Sequence, residues 1–135
     1  MKKIEHIGIA VKDLKSSNEL FSALFGSPPY KVELVESEGV NTSFFKSGSN
    51  KIELLEATNL ESPIAKFIEK KGEGIHHIAF AVDDIVAEID RLTKEGFIVL
   101  NDSPKKGADN KLVAFLHPKS TNGVLIELCQ EIRNH

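Results

Sequence analysis

Cysteine occurs once in the 135 residues, at Cys129. No disulfide can form within the chain, so a packed core must hold the fold, and a reducing cytoplasm is the expected setting. Arginine occurs only at Arg91 and Arg133, so no bidentate fork for carboxylate or phosphate stands before residue 91. The formal charge of −3 supplies no basic field for nucleic acid or an anionic membrane, and neither is expected as a partner. The opening "MKKIEHIGIAV" has only a broken apolar stretch and no small-residue cleavage site. A signal peptide and a membrane span are therefore not expected. A glycine-rich phosphate loop is missing as well; "SGSN" reads as a turn. The rest is ordinary for a soluble globular protein, with 41% hydrophobic and 27% charged residues and enough length for a core without staples. A single domain over residues 1–135 is expected.

Against these absences stands a repetition. "EHIGIAV" at 5–11 returns as "HHIAFAV" at 76–82. His6 falls on His77, Val11 on Val82, Asp13 on Asp84 and Leu14 on Ile85, all at one offset of 71 residues. Strand side chains alternate, so His6, Gly8 and Ala10 share one face while Ile7, Ile9 and Val11 share the other. His77, Ala79 and Ala81 repeat the small face, which leaves room beside a histidine for something other than protein.

Each copy leads into a helix. Asp13 is a candidate N-cap and Gly26 a stop around Leu20, Phe21, Leu24 and Phe25; Asp84 and Gly96 frame Ile85, Ile89 and Leu92 in the same way. Strands are expected at "YKVELVE", "VNTSFFKSG" and "KIELLEA" in the first half, and at "FIVLN", "LVAFLHP" and "VLIELCQ" in the second. "SPIAKFIEKKG" at 62–72 reads as a connecting helix, capped by Ser62 with Pro63 at its first position. The pattern predicts an α+β fold of two tandem βαβββ units, at about 1–57 and 75–131.

Near the end of each unit a glutamate interrupts an apolar strand: Glu53 in "KIELLE" and Glu127 in "LIELCQ". The order His…Glu thus occurs once per unit. Carboxylates are rarely buried without a partner. If the halves close about a pseudo-twofold axis, His6, Glu53, His77 and Glu127 could converge as ligands of one divalent ion with open positions for water or substrate. The donor set suits Co, Zn, Ni, Mn or Fe alike. His76, adjoining His77 on the other strand face, is expected to be structural or supporting. His117 before Pro118 is expected in a turn or a substrate loop rather than as a ligand, and His135 is terminal.

These residues resemble the vicinal oxygen chelate (glyoxalase/bleomycin resistance) superfamily, built from paired βαβββ units. Within it "ESPIAKFIEKKGEGIHHIAFAVDDI", "KIELLEA" and "VAFLHPKSTNGVLIELCQ" look like the methylmalonyl-CoA epimerases. The resemblance implies a curved, half-open mixed sheet with the metal in its cup. It implies ligands at His6, His77 and Glu127, with Glu53 in the fourth position, where glutamine also occurs in that family, and a homodimer. It further implies 1,1-proton transfer on an acyl-CoA thioester, with Glu127 as one proton carrier and a second carboxylate near "VESEGV". Glu36 and Glu38 share strand parity there, and Glu38, beside Gly39, is the expected one. The loop "GADNK" departs from the Gly-Ala-His-Gly-Lys common in those enzymes.

Three rival functions compete. Lactoylglutathione lyase uses a similar site on a glutathione hemithioacetal, but such enzymes resemble one another in placing arginines near the first strand and helix, where this chain has none. A non-catalytic binding member would need no metal, against which all four ligand-type residues stand. An iron dioxygenase would also use two histidines and a glutamate, in a longer chain.

Overall fold

The computed structural model describes residues 1–101 and 103–132; Arg133 and His135 lie outside them. In chain order the elements are β1 (Lys3–Ala10), α1 (Leu14–Phe25), β2 (Lys31–Val35), β3 (Val40–Ser47), β4 (Asn50–Ala57), α2 (Pro63–Lys71), β5 (Gly74–Ala81), α3 (Ile85–Lys94), β6 (Lys105–Lys106), β7 (Lys111–Leu116) and β8 (Ile126–Glu131). The fold is α+β with a mixed sheet, as the repeated pattern predicts. The chain divides into two compact units, 6–76 and 1–5 with 77–135.

In the first unit the strand order is β2-β3-β4-β1, with β1 parallel to β4 and the other pairs antiparallel. In the second it is β5-β8-β7-β6, again with the unit's first strand parallel to its last. The two parallel pairs share one register. Ile7 faces Ile52, Gly8 faces Glu53 and Ile9 faces Leu54; Ile78 faces Ile126, Ala79 faces Glu127 and Phe80 faces Leu128. The pairing then ends alike, with Val11 N–H donating to the Leu55 carbonyl and Val82 N–H to the Cys129 carbonyl, each at 2.9 Å.

The bulky strand face lies under the helix in both units. Val11, Leu14, Phe45 and Leu54 are buried with Ile9, Phe21, Phe25 and Ile52 packed on them. Val82, Ile85, Leu92, Leu116 and Leu128 form the second core, with Ile89, Phe97 and Ile126. A large apolar side chain fully buried in this way contributes roughly 1.5–3 kcal/mol. The caps are those expected. Asp13 accepts from Lys15 N–H and Asp84 from Ala87 N–H, each at 3.1 Å, satisfying donors that helix N-termini leave open. Gly26 ends α1 at φ 74°. Ser62 caps α2 with Pro63 behind it, and Gly72 closes it.

One expected strand is absent. "FIVLN" makes only an isolated bridge, Val99 to Leu116, and the paired strand is the two-residue β6 further on. The reason is a contact across the chain: Phe115 N–H donates to the Asn101 side-chain oxygen at 3.0 Å. A side chain takes the bond a backbone carbonyl would need to extend the ladder.

Candidate functional site

In the first unit Glu53 lies at the centre of β4, paired with Gly8 on one side and Phe44 on the other. Gly8 has no side chain, so the carboxylate has space over β1, and His6 sits two residues along that strand on the same face. His6 Nδ1 lies 3.0 Å from Glu53 Oε2. Both residues are 5% exposed.

The second unit rebuilds the pair. Glu127 on β8 lies between Ala79 and Phe115, and His77 Nε2 lies 3.3 Å from Glu127 Oε1. Their exposures are 5% and 6%. The Phe115 ring meets the His77 ring edge-on, with centroids 6.1 Å apart. Opposite ring nitrogens meet the carboxylate in the two pairs, Nδ1 in one and Nε2 in the other.

Two imidazoles and two carboxylates buried inside apolar strands are costly without compensating charge, since each buried ion loses several kcal/mol of solvation. A divalent cation supplies that charge, and nitrogen with carboxylate oxygen is a donor set that first-row divalent metals accept. Within each unit the pair offers one imidazole nitrogen and one carboxylate oxygen, donors that a metal ion accepts. Glu5, which sequence reasoning passed over, is also buried; it shares the strand face of Ile7 and Ile9, but its charge argued against burial there.

Glu38 is half-buried and Glu36 exposed. Neither is in a strand. Both lie in a single 3₁₀ turn, Glu36–Glu38, so the strand parity expected for them does not apply. Gly39 closes the turn at φ 64°, and a Cβ there would come within 3.1 Å of Ser62 Cβ. The turn thus lies close against the cap of α2, and glycine avoids both that tight contact and the strain of a positive φ.

His117 is a turn residue, its Nδ1 accepting from Lys119 N–H at 3.0 Å. His76 packs edge-on against Phe67 of α2, with centroids 5.0 Å apart. Burial lowers its pKa from 6.5 to about 4, so it is neutral at physiological pH, in keeping with a structural role.

A model of the glyoxalase/bleomycin resistance protein/dioxygenase superfamily matches residues 5–115. The ethylmalonyl-CoA/methylmalonyl-CoA epimerase of Cereibacter sphaeroides is 42% identical over 130 residues, which cover 95% of this chain and 97% of that one. Among solved structures, a hypothetical protein of Bacillus halodurans superimposes with a TM-score of 0.94 at 44% identity, covering 98% and 96% of the two chains. The Streptomyces coelicolor methylmalonyl-CoA epimerase in complex with 2-nitronate-propionyl-CoA gives a TM-score of 0.93 at 35% identity, covering 98% and 99%.

Proposed function

The chain belongs to the glyoxalase/bleomycin resistance/dioxygenase superfamily, and from that premise we propose that it is a metal-dependent isomerase that epimerises methylmalonyl-CoA by 1,1-proton transfer. The observation that carries the reading is the buried His–Glu pair that each unit builds at the same register. The epimerase relatives, similar along almost the whole chain, supply the substrate class, an acyl-CoA thioester.

In this reading His6, Glu53, His77 and Glu127 hold one divalent ion. When bound, the ion supplies positive charge for the substrate oxygens on which negative charge develops as the α-proton leaves. The side chains do the rest. Glu127, a carboxylate in a dry strand setting, removes or returns the proton on one face of the α-carbon. Glu38, on the turn ahead of β3, serves the opposite face. Phe44 and Phe115, each paired with one of the ligand glutamates, keep water from the proton in transit. One carboxylate takes the proton and the other returns one, so the carbon inverts with no change in oxidation state.

The same reading makes the enzyme a homodimer working in the cytoplasm. No helix among the described residues is long and apolar enough to cross a membrane. Sedimentation of the purified chain tests the dimer.

The test of function is a paired assay on cobalt-loaded protein. Methylmalonyl-CoA should exchange its α-proton with deuterated solvent and epimerise, while the glutathione–methylglyoxal hemithioacetal should not turn over. Turnover of the hemithioacetal alone would make the chain a lactoylglutathione lyase.

A further inference from the structure

Two hydroxyls on β3 are buried with no hydrogen-bond partner among the described residues: Thr42 Oγ1 and Ser43 Oγ. Both residues are 0% exposed. An unmade bond of this kind is costly, because the hydroxyl has lost water and gained nothing. The second unit shows that the fold itself does not need them. Phe44 faces Glu53 and Phe115 faces Glu127, so counting back along each strand puts Val113 in the place of Thr42 and Ala114 in the place of Ser43. The same strand, in the same kind of sheet, is built there with apolar side chains of similar size.

The two hydroxyls point to opposite faces. Ser43 pairs with Leu54, on the face that carries the α1 core. Thr42 pairs with Leu55 and precedes Phe44, the partner of Glu53, so it lies on the Glu53 face. Thr42 and Glu53 are diagonal neighbours, a relation that sets side-chain origins roughly 7–8 Å apart. Thr42 Oγ1 thus starts on the carboxylate's side of the sheet, one diagonal step from Glu53.

We propose that Thr42 is a substrate-binding residue whose O–H donates to a carboxylate or thioester oxygen of the malonyl head group beside Glu53. The inference rests on the acyl-CoA reading above and adds a specificity contact to it. The hydroxyl is shut off from solvent, so the oxygen it bonds is enclosed too, where a hydrogen bond to a charged group is strong. Ser43, on the helix face, makes no such contact.

The test compares the wild type with Thr42→Val, Thr42→Ser and Ser43→Ala, reading deuterium exchange into methylmalonyl-CoA, melting temperature and cobalt content. Thr42→Val should lose about 10–100-fold in kcat/KM, the loss expected for one hydrogen bond to a charged group. It should keep its cobalt and melt no lower than wild type, since a valine fills the site without an orphan hydroxyl. Thr42→Ser should recover most of the activity, and Ser43→Ala should match the wild type in rate. Wild-type kinetics in Thr42→Val, or an equal loss in Ser43→Ala, would overturn the assignment. An inactive wild type would overturn the acyl-CoA reading and this contact with it, whereas an active wild type with an indifferent Thr42→Val overturns only the contact.

Discussion

The two units keep one register and differ in their turns. In the first, β3 passes to β4 through Gly48 and Ser49 alone. In the second, β7 passes to β8 through residues 117–125, which include a 3₁₀ turn at Pro118–Ser120. The offset between equivalent residues is 71 from β1 to β5, and 74 from β4 to β8. All three extra residues fall in that turn, ahead of Glu127. The parallel strand pair, and the His–Glu pair built on it, are indifferent to the insertion. A length change at a turn costs little, whereas a one-residue slip in a strand would turn the glutamate to the other face.

The strongest way to break this equivalence is chemical. Glu127→Gln keeps size and an oxygen but removes basicity, so kcat should fall by about 10²–10⁴-fold, the usual range for a general acid–base group. KM should change less, since the carboxylate acts on the transition state. Glu53→Gln, the same change at the equivalent place, should cost less than about tenfold, because Glu53 is proposed only as a ligand and a carboxamide oxygen can serve there. Equal losses in the two variants would show that the symmetry of structure extends to the chemistry.

A smaller effect separates the neighbours His76 and His77. The His76 pKa is about 4 in the folded chain against 6.5 unfolded, from burial. Above pH 6.5 the imidazole is neutral in both states and its burial adds in full. As pH falls from 6.5 towards 4 the unfolded chain takes up a proton that the folded chain refuses, so stability drops by up to about 3 kcal/mol. His76→Phe, which keeps an aromatic edge for Phe67, should flatten the pH dependence of urea unfolding in that window.

The smallest contrast lies at the helix starts. Glu56 accepts from Leu14 N–H at 2.8 Å, and Gln130 from Ile85 N–H at 2.7 Å. They are equivalent residues, three past Glu53 and Glu127. Glu56→Ala should cost about 1–2 kcal/mol and Gln130→Ala about 1 kcal/mol in urea unfolding, since a charged acceptor gains from the helix dipole and a neutral one less so.

Much of this was legible in the sequence. The offset of 71, the Asp13 and Asp84 caps and the alternation of small and bulky residues each follow from one-residue rules, and the structure places them accordingly. "FIVLN" misled because its alternation is real: Phe97 and Val99 do pack on the core. What ends the strand is the Asn101 side chain, a contact between distant residues that no local pattern shows. Glu36 and Glu38 misled for the same reason. Val40 begins a true strand, and only the approach of Ser62 to Gly39 reveals why the residues before it must turn. The burial of Glu5 was masked by its charge: it has the parity of Ile7 and Ile9, the packed face, but carboxylates are rarely buried.

The proposed function requires two equivalent His–Glu pairs to serve one ion. Cobalt titration of metal-free wild type, His6→Ala and His77→Ala by calorimetry addresses it directly. One tight ion per chain is expected in the wild type and none in either variant, with both variants still folded by circular dichroism. Two ions per wild-type chain, with one retained in each variant, would show that each pair is a separate site and contradict it.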